Sequence, residues 1–125
     1  MSLKNLKLSN EQKQSGYNPL IIRRQKLLTN IDKQIRFIES QMDGFDFGKG
    51  KPSKWYWVGE DSQYRCSIYY GKKPIELEKG KFSFLSTGLD KVKESLELVK
   101  GCVVAGDFDE KIEVISKNMR KNFKK

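Results

Sequence analysis

The sequence predicts one α+β domain, in which an N-terminal helix and two C-terminal helices pack on one face of a four-stranded antiparallel meander. Three observations lead to this class. The chain has 125 residues, the length of a single domain, and 37% of them are hydrophobic, enough for one core. Apolar residues recur at helical spacing towards both ends of the chain. Between those segments, short alternating runs are separated by turn signals, as in consecutive hairpins.

The first helix is predicted over residues 20–42, after a polar arm over residues 1–18 that we expect to be flexible. Its apolar residues recur at intervals of three, four and seven, and they are Leu20, Leu27, Ile31, Ile35, Ile38 and Met42. Lys26, Lys33 and Arg36 fall on the opposite face of this helix.

Arg24 lies near the middle of the apolar stripe rather than opposite to it. Two interpretations stay open. Its aliphatic stem can cover the edge of the core while the charged end reaches water. Alternatively, its guanidinium is placed to meet a carboxylate or a phosphate at that edge.

Residues 43–54 form a loop with three glycines, which has some similarity to a phosphate-binding loop. Gly44 and Gly48 are four residues apart, whereas the Walker pattern needs five, and no Lys-Ser or Lys-Thr pair follows at the required place. We therefore predict a mobile basic loop that presents Lys49 and Lys51.

Four strands are predicted from alternating segments with short connections. They cover residues 54–58, 63–70, 75–78 and 82–85. A capping-box pattern over residues 87–90 then precedes a second helix that reaches Val103, and Gly106 separates it from a third. The predicted domain covers residues 19–121, and a basic tail over residues 122–125 is expected to fray.

Side chains alternate between the two faces of a strand, so the strands predict which residues form the core. If Trp55 and Trp57 face the helices, the rest of the inward set is Tyr64, Cys66, Ile68, Tyr70, Ile75, Leu77, Phe82 and Phe84. The outward set is then Tyr56, Val58, Arg65, Ser67, Tyr69, Glu76, Glu78, Ser83 and Leu85.

Tyr56, Arg65 and Tyr69 on the predicted outer face are candidates for stacking on nucleic-acid bases. Glu76 and Glu78 on the same face oppose this interpretation, because they repel phosphates and Glu76 can pair with Arg65 across the strands. The strand order also differs from that of an RNA-recognition motif. A solvated face or a protein contact is the alternative.

The net charge of +9, from 25 Lys and Arg against 16 Asp and Glu, favours polyanionic partners. The candidate contacts are Arg24, Lys26, Lys33, Arg36, Lys49 and Lys51 in the helix and loop, with Tyr56, Arg65 and Tyr69 in the sheet. The tail forms a concentrated basic block of Arg120, Lys121, Lys124 and Lys125. An ordinary solvated face is the alternative, because sequence alone does not show whether these side chains converge.

The chain has no histidine and two cysteines, Cys66 and Cys102, which we expect to be buried. The lack of histidine excludes histidine-based triads and Cys/His zinc sites. Asp107, Asp109 and Glu110 are explained as charges at a helix N-terminus. We therefore predict a protein that is not an enzyme and has no cofactor or metal. Because no apolar run could span a bilayer, we expect a soluble, cytoplasmic protein without membrane contacts.

Five short segments form a recognisable set within residues 20–115. They are Arg23-Arg24-Gln25-Lys26-Leu27, Trp55-Tyr56-Trp57, Tyr70-Gly71-Lys72-Lys73, Glu76-Leu77-Glu78-Lys79-Gly80-Lys81 and Gly106-Asp107-Phe108-Asp109. Together they resemble an uncharacterised family of small bacterial and phage proteins, a domain of unknown function. Phe108 departs from the family pattern, which more often has a polar residue there. The resemblance implies a phage or bacterial accessory protein and assigns no activity.

Two hypotheses from different classes follow. In the first, the protein is a small basic accessory protein that contacts the phosphate backbone of nucleic acid without strong sequence preference. In the second, it is a protein-interaction module, such as a phage or mobile-element factor that binds a host protein or another acidic protein surface. The charge favours the first hypothesis, and the mixed charges of the predicted sheet face favour the second.

Overall fold

A computed structural model describes residues 3–10 and 18–123, except for the side chains of residues 3 and 121–123. A short 3-10 turn occupies Leu3–Asn5. The three predicted helices are present as α1 Pro19–Asp43, α2 Leu89–Ala105 and α3 Asp109–Phe123. The expected arm and tail lie partly outside the described residues, and α3 includes residues 122–123 of the tail. None of the helices within the described ranges is both long and apolar enough to cross a membrane.

The ends of α1 follow from explicit signals in the sequence. The side chain of Asn18 accepts a hydrogen bond from the backbone N–H of Ile21, and Pro19 occupies the first helical position, where its missing N–H has no cost. At the other end, Gly44 has φ 75° and donates its N–H to the carbonyls of Gln41 and Ser40. This left-handed conformation suits glycine and stops the helix.

Within the described ranges, five short strands replace the four that the sequence predicts. They are β1 Tyr56–Val58, β2 Tyr64–Cys66, β3 Tyr69–Tyr70, β4 Lys73–Pro74 and β5 Phe84–Ser86. One antiparallel sheet has the order β1-β2-β5, and β3 and β4 form a separate two-stranded sheet. The structure is therefore α+β with small antiparallel sheets, but the predicted four-stranded meander is wrong.

A bend after Cys66 explains the division into two sheets. Cys66, Ser67 and Ile68 are buried in succession, which a regular strand with alternating faces does not allow. Instead, Ser67 donates its N–H to the carbonyl of Trp55 at 3.0 Å, and Ile75 donates to the carbonyl of Ile68 at 2.7 Å. The predicted long second strand is thus split into β2 and β3, and β5 becomes the neighbour of β2.

The core lies where α2 packs against α1 and against β2 and β5. Its fully buried side chains include Leu27, Ile31, Phe37, Ile38, Cys66, Ile68, Ile75, Val92, Leu96 and Val103. Cys66, Ile68, Tyr70 and Ile75 are buried as predicted.

Two of the predicted inward side chains, Trp57 and Phe82, are instead exposed, and two predicted outward ones, Tyr56 and Ser67, are buried. The register explains the first strand, because Tyr56 lies opposite Cys66 and shares its face of the sheet. Trp55 precedes the strand, so it reaches the core from the loop and does not set the alternation.

Candidate functional site

Helix α1 has two flanks of opposite charge beside its buried face. Asp32 and Glu39 lie on one flank, where they pair with Lys100 at 2.6 Å and Lys93 at 3.6 Å on α2. The residues Arg23, Lys26, Asn30 and Lys33 lie on the other flank, because at 100° per residue they share one side of the helix. The acidic flank is therefore neutralised by α2, and the basic flank is turned away from it.

A cleft of about 490 Å³ opens beside the first turns of α1, and we call it the arginine cleft. It is lined by Pro19, Ile22, Arg23, Lys26, Tyr70, Ser116 and Arg120. The ammonium of Lys26 lies 4.9 Å from the ring centroid of Tyr70, a cation–π distance that orients the lysine on the cleft wall. Helix α3 contributes Ser116 and Arg120, which are one turn apart. None of the described side chains that line this cleft is a carboxylate.

A second cleft of about 360 Å³, here called the lysine cleft, lies further along the same flank. It is lined by Asn30, Lys33, Gln34, Gly50, Lys51, Pro52, Ser53, Trp55 and Gly71. The two clefts adjoin, because Tyr70 lines the first, Gly71 lines the second, and both run beside α1. We call the two clefts together the basic groove.

The loop that carries Lys51 is held against α1 by a buried glutamine. Gln34 is 2% exposed. Its Nε2 donates to the carbonyl of Ser53 at 2.7 Å, and its Oε1 accepts from the backbone N–H of Trp55 at 3.2 Å. Phe47 anchors the other half of the loop through an edge-on contact with Phe37, with ring centroids 5.7 Å apart.

Sequence reasoning missed Gln34 although a signal was present. The residue stands seven positions after Leu27 and four before Ile38, within the apolar stripe of α1. A lone polar residue in such a stripe indicates a buried side chain that needs hydrogen-bond partners.

The five cations of the basic groove are Arg23, Lys26, Lys33, Lys51 and Arg120. Within residues 3–10 and 18–123, none of them lies within 4.0 Å of a carboxylate oxygen. The groove thus brings together five cations that have no ion pair with a described carboxylate.

Comparisons of the chain with protein-family models, with curated proteins and with solved structures found no match. Function is therefore inferred from the site residues, and the resemblance to small bacterial and phage proteins stays a prediction.

The groove unites only some of the cations that the sequence singles out. Lys26, Lys33 and Lys51 line it, and Arg120 from the basic block near the C-terminus joins them. Arg36 and Lys49 are exposed and line neither cleft. Arg23 also lines the groove but was not selected as a candidate, although its spacing of three residues from Lys26 placed it on the same flank.

Arg24 is engaged elsewhere. Its Nε donates to Oδ1 of Asp109 at 2.9 Å, and its Nη2 donates to Oδ2, which makes a bidentate pair between α1 and the start of α3. The pair lowers the pKa of Asp109, mainly through the hydrogen bond from Arg24. Of the two interpretations of Arg24, the structure shows the contact with a carboxylate.

The structure does not bring Tyr56, Arg65 and Tyr69 together on one exposed face, because Tyr56 and Arg65 lie in the three-stranded sheet and Tyr69 in the two-stranded one. Tyr56 is buried, which raises the pKa of its hydroxyl. Tyr69 is half-buried, with its ring centroid 5.9 Å from that of Trp55. Arg65 pairs with Asp61 through two hydrogen bonds of 2.9 and 3.0 Å, not with Glu76.

A different row of side chains crosses the outer face. Trp57 and Leu85 both lie opposite Arg65 in the register, so the three share this face. Trp57 is 45% exposed and Leu85 is 60% exposed. The row is therefore an exposed apolar pair on either side of a paired arginine.

The thiols and carboxylates of the described residues form no metal-binding cluster. Burial raises the pKa of the Cys66 thiol to about 12, so it is not a nucleophile at neutral pH. No group of three or more Cys, Asp or Glu side chains among these residues could hold a metal ion.

Proposed function

We propose that the protein is a small, non-enzymatic accessory protein that binds nucleic acid through the phosphate backbone, along the basic groove. The observation that supports this proposal most directly is the convergence of five cations, from α1, α3 and the loop, on two adjoining clefts without ion pairs to described carboxylates. Most other charged residues of α1 are paired with neighbouring helices, so the unpaired flank is the part suited to an external anion.

The binding energy would come from phosphate contacts and the release of condensed counterions. Base stacking would contribute little, because the aromatic side chains in the groove are largely covered. Tyr70 and Trp55 are both buried, and Lys26 lies over the ring of Tyr70. We therefore expect weak sequence preference.

Binding of labelled single- and double-stranded DNA and RNA at several salt concentrations tests the proposal. With up to about five phosphate contacts, log K should fall against log salt with a slope of up to about −4.5 for duplex and about −3.5 for single strands. Substituting Lys33→Gln together with Lys51→Gln should make the slope shallower by about 1 to 2.

The matched control is Lys79→Gln together with Lys81→Gln, which removes the same charge from a turn outside both clefts. This control variant should make the salt slope shallower by a much smaller amount. Absence of binding at low salt, or an equal loss in the control variant, would contradict the proposal.

The exposed row on the sheet supports a second candidate, a protein-interaction module. Trp57 and Leu85 offer apolar contact area, and exposed tryptophan is enriched at protein interfaces. The test compares stoichiometric capture from nuclease-treated host lysate by the wild type and by Trp57→Ser, Leu85→Ser. A species retained by the wild type and by the Lys33→Gln, Lys51→Gln variant, but lost with the sheet variant, would favour this function.

A further inference from the structure

We propose that the arginine cleft is a subsite for a phosphate monoester, so that the basic groove receives a nucleic-acid strand at a phosphorylated end. This inference rests on the proposed function and adds what one end of the groove recognises. Three features of the molecule support it: the donors in the cleft, the N-terminus of α1 beside it, and the end of the basic flank.

The donors of the arginine cleft match a dianion better than a single phosphodiester. Arg23 and Arg120 are guanidiniums, which bind phosphate oxygens in pairs, and Lys26 adds an ammonium. Ser116 adds a hydroxyl that can donate to a further oxygen. A phosphate monoester has three terminal oxygens and a charge of about −1.5 to −2 at pH 7, against −1 for a diester.

The N-terminus of α1 adds to the positive potential at this cleft. Pro19, the first helical residue, is part of the cleft wall, and the first turn contains no acidic residue. The positive end of the helix dipole therefore adds to the three side-chain charges, and no acidic side chain of the first turn offsets it.

Three like charges around one cleft repel each other. Among the described lining residues, the lysine cleft has two cations, Lys33 and Lys51, the arginine cleft has three, and neither cleft has a carboxylate. Binding of a dianion removes more of this repulsion than binding of a monoanion.

Among the described residues, the basic flank of α1 ends at the arginine cleft. One turn before Arg23, the positions on α1 are Pro19 and Leu20, which are apolar. Ile22 and Pro19 form that end of the cleft. A strand that follows the cations from the lysine cleft thus meets an apolar wall, which suits a chain end rather than a backbone that continues past.

The experiment compares three single-stranded DNA 12-mers of one sequence, with a 5′-phosphate, a 3′-phosphate or hydroxyls at both ends. At least one phosphorylated strand should bind about tenfold more tightly than the hydroxyl-ended strand, the effect of about one additional charge-assisted hydrogen bond. All three are measured at one fixed salt concentration, because the affinity depends on salt.

Arg23→Gln together with Arg120→Gln should remove the preference for the phosphorylated strand. Lys33→Gln together with Lys51→Gln is the matched control with the same charge change, and it should weaken all three strands while it preserves the ratio. Circular dichroism checks that both variants are folded.

Equal affinities for the three strands, with salt-dependent binding intact, would overturn the monoester subsite and leave the proposed function standing. A preference that survives in the Arg23→Gln, Arg120→Gln variant would also overturn it. Failure of these three strands, and also of duplex DNA and RNA, to bind at low salt would refute both proposals together.

Discussion

Replacing Gln34 with leucine should destabilise the fold by about 2 kcal/mol. The substitution keeps the side chain at a similar volume but removes two hydrogen bonds, to Ser53 at 2.7 Å and from Trp55 at 3.2 Å. The N–H of Trp55 would remain buried without an acceptor, which costs about 1–3 kcal/mol. Ser53 is exposed, so its carbonyl can turn to water at a smaller cost, and burial of the leucine offsets part of the total.

Urea unfolding of the two proteins measures this difference directly, and the midpoint of thermal unfolding should fall by roughly 6–10 °C for a chain of this size. The matched control is Gln41→Leu, on the exposed part of the same helix, which should change the free energy of unfolding by less than about 0.5 kcal/mol. If Gln34→Leu is as stable as the wild type, the buried amide contributes nothing specific and this reasoning is wrong.

Gln34→Glu refines the same prediction through its pH dependence. A glutamate can still accept from Trp55, but its carboxylate would face the Ser53 carbonyl and be desolvated, so its folded-state pKa would be raised. Stability lost at pH 7 should therefore return as the pH falls towards about 4, the ordinary range for glutamate. If the variant is less stable than the wild type by the same amount at pH 7 and at about pH 4, the buried position of this side chain is contradicted.

Three further predictions concern thiols, acid stability and a helix end. At pH 8, an aromatic disulfide reagent should modify only the half-buried Cys102 in the native protein and both thiols after denaturation. The reason is that burial raises the pKa of the Cys66 thiol to about 12. Rapid modification of both thiols in the native protein would contradict this. Since Arg24 lowers the pKa of Asp109, their pair stabilises the fold above pH 4 and is lost on acidification. Asp109→Asn should accordingly show a smaller loss of stability between pH 5 and 2 than the wild type in acid titration. Gly106→Ala should lower the free energy of unfolding, measured in urea, by about 1–2 kcal/mol. Gly106 has φ 91°, and a Cβ there would lie 2.9 Å from Nη2 of Arg24. An unchanged urea midpoint would argue against a left-handed residue at this position.

The helices were predictable because their signals are local and repeated. The apolar period of α1 extends over many turns, and Asn18, Pro19 and Gly44 mark its ends. The strands have two or three residues each, so one misplaced residue reverses the alternation. Trp55 did this for β1, since it is buried but lies outside the strand.

The candidate site was predictable only where it depends on one helix. Lys26 and Lys33 share a flank by spacing alone. Arg120 reaches the same groove through the packing of α3, and Lys51 reaches it because Gln34 fixes the loop. Likewise, the carboxylate that Arg24 meets is 85 residues away, which periodicity does not reveal.

The unequal flanks of α1 also affect how the molecule moves before any contact forms. Asp32 and Glu39 are neutralised against α2, whereas the cations on the opposite flank have no ion pair among the described residues. Around α1, the positive potential is therefore stronger on the side of the groove. In the field of a polyanion, this difference favours encounters in which the groove faces the partner. Salt should then slow association more than it speeds dissociation, and stopped-flow kinetics can measure the two separately.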